Sequence, residues 1–151
     1  MLKQLIKNQY KTKIDQLNSC KKLARPKEGW IRTLRKALGM SGPQLAERLG
    51  VSKSQASQIE RMETEDRITL KQLRRVADVL DCDLTYALVP RQSVDDMVRA
   101  RAELKASKLV NQADVQMKLE AQQLSKEQLQ AQLRLEVDRL MTDLPRDLWE
   151  D

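Results

Sequence analysis

All four glycines of this 151-residue chain, Gly29, Gly39, Gly42 and Gly50, fall within 22 residues, and the 101 residues after them contain none. A long glycine-free tract rich in Ala, Leu, Gln, Glu, Lys and Arg favours helix. Helix beginnings are marked along the chain. A Ser or Thr followed three residues later by Gln, the capping-box pattern, occurs at Ser41/Gln44, Ser52/Gln55, Thr69/Gln72 and Ser125/Gln128. Each is flanked by the apolar pair of a hydrophobic staple: Met40 with Leu45, Val51 with Ala56, Ile68 with Leu73, Leu124 with Leu129. The chain is therefore expected to be mainly all-α.

Three regions follow. Residues 1–28 read as a basic arm, a helix through Leu2, Leu5, Ile6, Tyr10, Ile14 and Leu17 and then a linker over 21–27. Residues 29–90 read as a five-helix unit, with helices over 30–38, from Ser41, from Ser52 and over 69–80. The stretch 84–89 ahead of Pro90 reads as an extended edge segment or as the closing turn of helix, a short strand at 85–89 being the favoured reading. Residues 91–151 read as a dimerisation or partner-binding region of two helices. One carries the stripe Val94, Val98, Ala102, Ala106, Leu109, Ala113, Met117, Ala121 and Leu124; the other carries Leu129, Leu133, Val137, Leu140 and Leu144 and is ended by Pro145.

Composition narrows the chemistry. The chain has no His and two Cys, so neither a four-ligand zinc site of the usual kind nor a His-based triad can be assembled. No catalytic residue, metal site or cofactor is expected, and the chain is not expected to be an enzyme. Cys20 and Cys82 read as reduced thiols, no apolar run approaches a membrane span, and a cytoplasmic protein is expected. Charge is uneven: residues 1–61 hold 14 Lys/Arg and 4 Asp/Glu, residues 62–151 hold 14 and 18. That asymmetry points to a polyanion bound by the front of the chain.

The central motif is SGPQLAERLGVSKSQASQIER, residues 41–61. Two short helices meet at Gly50, where a left-handed backbone costs a residue with a side chain about 1 kcal/mol or more, and Ala46 is small enough for a close crossing. This is the spacing of a helix-turn-helix. A step of 100° per residue turns Ala56 and Ile59 inward and Lys53, Ser54, Ser57, Gln58 and Arg61 outward. Lys53 suits guanine, Gln58 suits adenine bidentately, and Ser54 and Ser57 serve bases or phosphates. Gln44, Arg48, Ser52, Gln55 and Arg61 are assigned to the DNA backbone, although the capping box turns the Gln55 amide back toward Ser52. A polar helix face is also what any small helical domain shows to water; the Leu45-Ala46 and Leu49-Gly50-Val51 spacing favours the groove-reading alternative.

Residues 30–84, with QLAERLGVS, SQIER and LKQLRRVADVLDCDL, resemble the helix-turn-helix domain of phage Cro and repressor proteins, the XRE family. The departures are Ala56 where Ile or Val usually packs, Gly42 where a DNA-contacting Gln often stands, and a long acidic loop over 62–68. Over its whole length, through ARPKEGWIR, TYALVP and the terminal LPRDLWED, the chain resembles the bacterial mobile mystery protein A family. That resemblance implies a Fic-domain partner as toxin. The Fic inhibitory signature, Ser or Thr followed four residues later by Glu and then Gly or Asn, does not occur.

The resulting expectation is a dimeric, sequence-specific DNA-binding regulator of its own operon. It binds an inverted repeat of double-stranded DNA, is associated with the nucleoid when bound, and is the antitoxin-like member of a toxin–antitoxin pair. The basic arm of 1–28 is expected to add phosphate contacts. Two alternatives stand beside this: an adaptor that sequesters an enzyme through residues 91–151, with Leu148 and Trp149 as anchors, and a stand-alone prophage-type repressor.

Overall fold

The structure, a computed structural model, describes residues 1–120 and 124–151. Its elements are α1 (Leu2–Asp15), a 3-10 segment (Gln16–Lys22), α2 (Trp30–Ala37), α3 (Gly42–Leu49), α4 (Lys53–Thr64), α5 (Leu70–Val79), α6 (Val94–Leu119) and α7 (Lys126–Asp143). The chain divides into two compact units, Ser19–Leu88 and Met1–Asn18 with Val89–Asp151.

Local chemistry explains the helix starts. Complete capping boxes form at Ser41, Ser52 and Ser125, each hydroxyl accepting the N–H three residues on while the Gln carboxamide accepts the cap N–H. Thr69 caps α5 through the Gln72 N–H, with its hydroxyl alone. Ser93, which the Gln pattern does not flag, caps α6 through the Asp96 N–H. Gly50 ends α3 at φ 68°, and an Arg75 Nη2 donates to the Leu49 carbonyl there.

In Ser19–Leu88, four helices enclose a core of Ile31, Leu45, Leu49, Ile59, Val76 and Leu80, with Leu34, Met40, Val51, Ile68, Leu73, Val79 and Cys82 against it. Two expectations are corrected here. Four α-helices occupy residues 29–90 where five were expected, and residues 82–90 are neither helix nor strand. Among the described residues there is no strand at all, because the 85–89 segment has the composition of a strand but no neighbouring backbone to pair with. The acidic loop is also shorter than expected, since α4 continues through Met62, Glu63 and Thr64. Cys20 and Cys82 are free thiols.

In the other unit, α6 packs on α7 around Ala102, Ala106, Val137, Leu140 and Leu148, with Val98, Leu133, Met141 and Leu144 beside them. The small residues Ala102 and Ala106 let the Val137 and Leu140 side chains approach. The stripe loosens beyond them: Leu109 and Ala113 are exposed and Met117 is half-buried; Ala121 lies outside the described residues. The first eighteen residues belong to this unit, α1 meeting it through Gln4 Nε2 on the Thr142 carbonyl (2.8 Å) and the Lys11–Asp95 ion pair. Leu148 is corrected as a partner-binding residue. It is 2% exposed and part of this core, drawn in by a closing turn whose backbone is tied to α6: Arg101 donates to the Leu148 and Glu150 carbonyls, and Lys105 to that of Asp147. No helix of the described residues is long and apolar enough to cross a membrane.

Candidate nucleic-acid interface

Helix α4 separates its residues cleanly. Ala56, Ile59, Glu60 and Glu63 are buried, while Lys53, Ser54, Gln55, Ser57, Gln58 and Arg61 are exposed. The steps of three, one and three between the buried positions trace one stripe of an α-helix, so the polar residues share the opposite face. All four residues assigned to base edges therefore lie together on the open side. Gln55 Oε1 accepts the Ser52 N–H (2.9 Å) and its own N–H donates to Ser52 Oγ (3.1 Å), so one end of its amide is committed to the cap. Gln44 is committed in the same way to Ser41. Ser52 Oγ also lies 3.2 Å from Ser54 Oγ. Arg48 and Arg61 are exposed at the ends of their helices.

The buried carboxylates are the part of the site that residue-by-residue reading misses. Glu60 lies between two arginines of α2: Arg35 Nε donates to Oε1 at 2.6 Å, and Arg32 Nε to Oε2 at 3.0 Å. Burial pushes the Glu60 carboxyl up, but the hydrogen bonds and charges of Arg35 and Arg32 outweigh it and hold it below the usual carboxylate range. The Arg35 guanidinium is correspondingly held above its ordinary value by its hydrogen bond to Glu60. Arg35 also donates to the Met40 carbonyl, so it braces both the turn after α2 and the back of α4.

Glu63 has a different task. Its carboxylate accepts the N–H of Trp30 (2.7 Å) and of Ile31 (2.9 Å), the first two residues of α2. The helix start at Gly29 has no side chain with which to cap itself, and Glu63 supplies the missing acceptor from across the domain. Gly29 is required twice: its φ is 89°, and a Cβ there would sit 2.9 Å from Glu63 Oε1. Arg25 then closes the far end of α4, one Nη donating to the Glu63 carbonyl and to Asp66 Oδ1, both at 2.7 Å. The ARPKEGWIR stretch thus holds the C-terminal half of α4 and the turn that follows it.

Beside the first turn of α4 lies an open cleft of about 460 Å³ lined by Arg32, Arg35, Gly42, Lys53, Ser54, Ala56, Ser57 and Glu60. Three cations against one neutralised carboxylate, at a helix start with unpaired N–H groups, make a place for an anion such as a backbone phosphate. Arg32, half exposed there, joins the basic residues of the face.

A helix-turn-helix family model matches residues 31–86. Residues 31–86 form an XRE-type helix-turn-helix domain. No curated protein and no solved structure matches the chain. The match covers just over a third of the 151 residues and spans α3 and α4, the two helices that meet at Gly50. The chain thereby carries the DNA-binding domain of XRE-type transcription regulators.

Glu60 gives this domain an acid-sensitive brace. A carboxyl whose pKa is lower folded than unfolded stabilises the fold fully above its unfolded value, about 4.3, and that stability is lost as pH falls through the lower folded value. Glu60→Gln is therefore expected to cost about 1–2 kcal/mol at pH 7 and to flatten the fall of stability below about pH 4. Denaturant melts of both proteins from pH 7 to pH 2 measure this. Parallel curves would remove Glu60 as the titrating brace.

Proposed function

We propose that this protein is an autorepressor: a homodimer that binds an inverted repeat in its own promoter and is the antitoxin-like member of a pair with a Fic-domain protein. The observation that carries the DNA-reading part is the division of α4. Its inner side is engaged by the core and by four α2 contacts through Glu60 and Glu63, while Lys53, Ser54, Ser57 and Gln58 are exposed on the outer side. A side chain can read a base edge only if the helix that presents it is held in place; this one is held along its back and at its C-terminal end.

Each chain has one recognition helix. A twofold pair would set two of them in successive major grooves, about 34 Å apart. The Fic-domain partner rests on the resemblance of ARPKEGWIR, TYALVP and LPRDLWED to the mobile mystery protein A family, and neutralisation by the Fic inhibitory signature is not available to a chain without it. With Leu148 in the core, Trp149 is the remaining aromatic anchor of the tail. It is 61% exposed with Arg101 5.9 Å from its ring centroid, a placement suited to a protein contact.

The deciding experiment is a salt-titrated binding assay of the purified protein on its own promoter and on scrambled duplex. The promoter is expected to bind at least about 10³ tighter at physiological salt. Equal binding to both duplexes would remove the regulator reading. Co-purification with the protein encoded beside it tests the pairing: no complex would leave a stand-alone repressor.

A further inference from the structure

Residues 82–90 leave α5 without helix, turn or bend, and no backbone group of residues 83–90 takes part in a backbone hydrogen bond. Leu84, Tyr86 and Leu88 alternate with Thr85, Ala87 and Val89, the period and composition of a strand. Tyr86 is 62% exposed and Leu88 87% exposed. The segment is thus apolar, outside any helix, turn or bend, and backbone-unpaired, with no strand among the described residues to receive it.

We propose that residues 84–90 pair antiparallel with the same segment of a second copy of this chain, across a twofold axis at Ala87, and that this ribbon is a dimer contact of the regulator. Three features select a second copy as the occupant. A strand's N–H and C=O groups need another extended backbone, and the chain offers none of its own. Residues 84–90, LTYALVP, carry no charge, so two identical copies meet without the repulsion that like charges opposite one another would bring. A twofold axis at Ala87 also sets Tyr86 opposite Leu88 of the second copy on one face, pairing the two most exposed apolar side chains of the segment with each other, as an isologous contact requires. Pro90, which has no N–H to give, then stands at the end of the ladder.

The inference rests on the dimeric regulator reading and deepens it, and the test separates the two. Oligomeric state is measured without DNA, by sedimentation, for the full chain and for Tyr86→Pro. With Ala87 self-opposed at a non-hydrogen-bonded pair, the Tyr86 N–H donates across the ribbon; proline fits an extended backbone and removes that donor, which nothing in the single chain uses, so the monomer fold, followed by circular dichroism, is expected to be unchanged. The dimer dissociation constant is expected to rise about 100-fold or more. In a Cys20→Ser, Cys82→Ala background, Ala87→Cys is expected to cross-link two chains under mild oxidation, because self-opposed residues lie about 4.5–5.5 Å apart between Cα atoms; Leu135→Cys on α7 is expected not to. A wild-type monomer, a dimer that survives Tyr86→Pro undiminished, or cross-linking at Leu135 in place of Ala87 would each overturn the ribbon. None of these touches the promoter assay, whose own failure would leave a paired dimer that does not read DNA.

Discussion

Glu63→Ala is expected to lower the stability of the helix-turn-helix unit by about 3 kcal/mol, because two α2 donors lose their acceptor together and the Ile31 N–H is buried. For a unit of this size that is a fall in melting temperature of about 10–20 °C. Gly29→Ala is expected to cost about 2 kcal/mol, from the left-handed φ and from the Cβ that would displace the Glu63 carboxylate. Both act through the same contact, so the double variant should be only slightly worse than Glu63→Ala alone. The readout is convenient: the two tryptophans fall one in each unit, and in a Trp149→Phe background the fluorescence of Trp30, which sits at the cap itself, follows this unit. Strictly additive losses would mean that Gly29 is needed for its backbone angle alone.

The cap also explains what the sequence did and did not disclose. The helix-turn-helix was legible because its signals are local: Ser at the cap, Gln three residues on, Gly50 at the turn, apolar residues three and four apart. Each acts within one or two turns of chain, and each reappears as a hydrogen bond or a buried side chain. Glu60 and Glu63 were missed because a carboxylate is ordinarily a surface residue. A signal was nevertheless present, since both lie four and seven residues after the inward Ala56, on the stripe that also holds Ile59. What the sequence could not supply was their partners, which are 25 to 33 residues away in α2.

The errors at 85–89 and at Leu148 have the same origin. Alternation in LTYALV describes what the backbone suits, whereas a strand exists only where a second backbone lies beside it. Leu148 follows Pro145 in a stretch that reads as a short acidic tail, where exposure is the ordinary expectation. It is buried because Arg101 and Lys105, more than 40 residues earlier, hold the carbonyls on either side of it. Neither pairing leaves a mark in local periodicity. A longer separation hid the partner of the basic arm: Lys11, one of the cations assigned to phosphate, is paired with Asp95, 84 residues later, whose hydrogen bond is the first cause of the lysine's raised pKa.

The double variant Lys53→Ala with Gln58→Ala is expected to bring promoter binding to within about tenfold of binding to scrambled duplex, while the salt dependence stays nearly that of the wild type. Each base-edge contact is worth about 1–3 kcal/mol of discrimination, and a twofold pair doubles the loss, enough to remove a 10³ margin, which is about 4 kcal/mol. Neither residue touches the core, so folding should not change. Arg48→Ala with Arg61→Ala should do the opposite, weakening both duplexes alike and reducing the salt slope by about 0.9 for each phosphate released. The contrast matters because a basic helical face can bind DNA without reading it. If the two double variants behaved alike, the outer face of α4 would be a cationic surface, and sequence preference would have to come from DNA deformation. If only the Lys53 and Gln58 pair abolished preference, the recognition helix would be reading bases from a position that Glu60, Glu63 and Arg25 keep fixed.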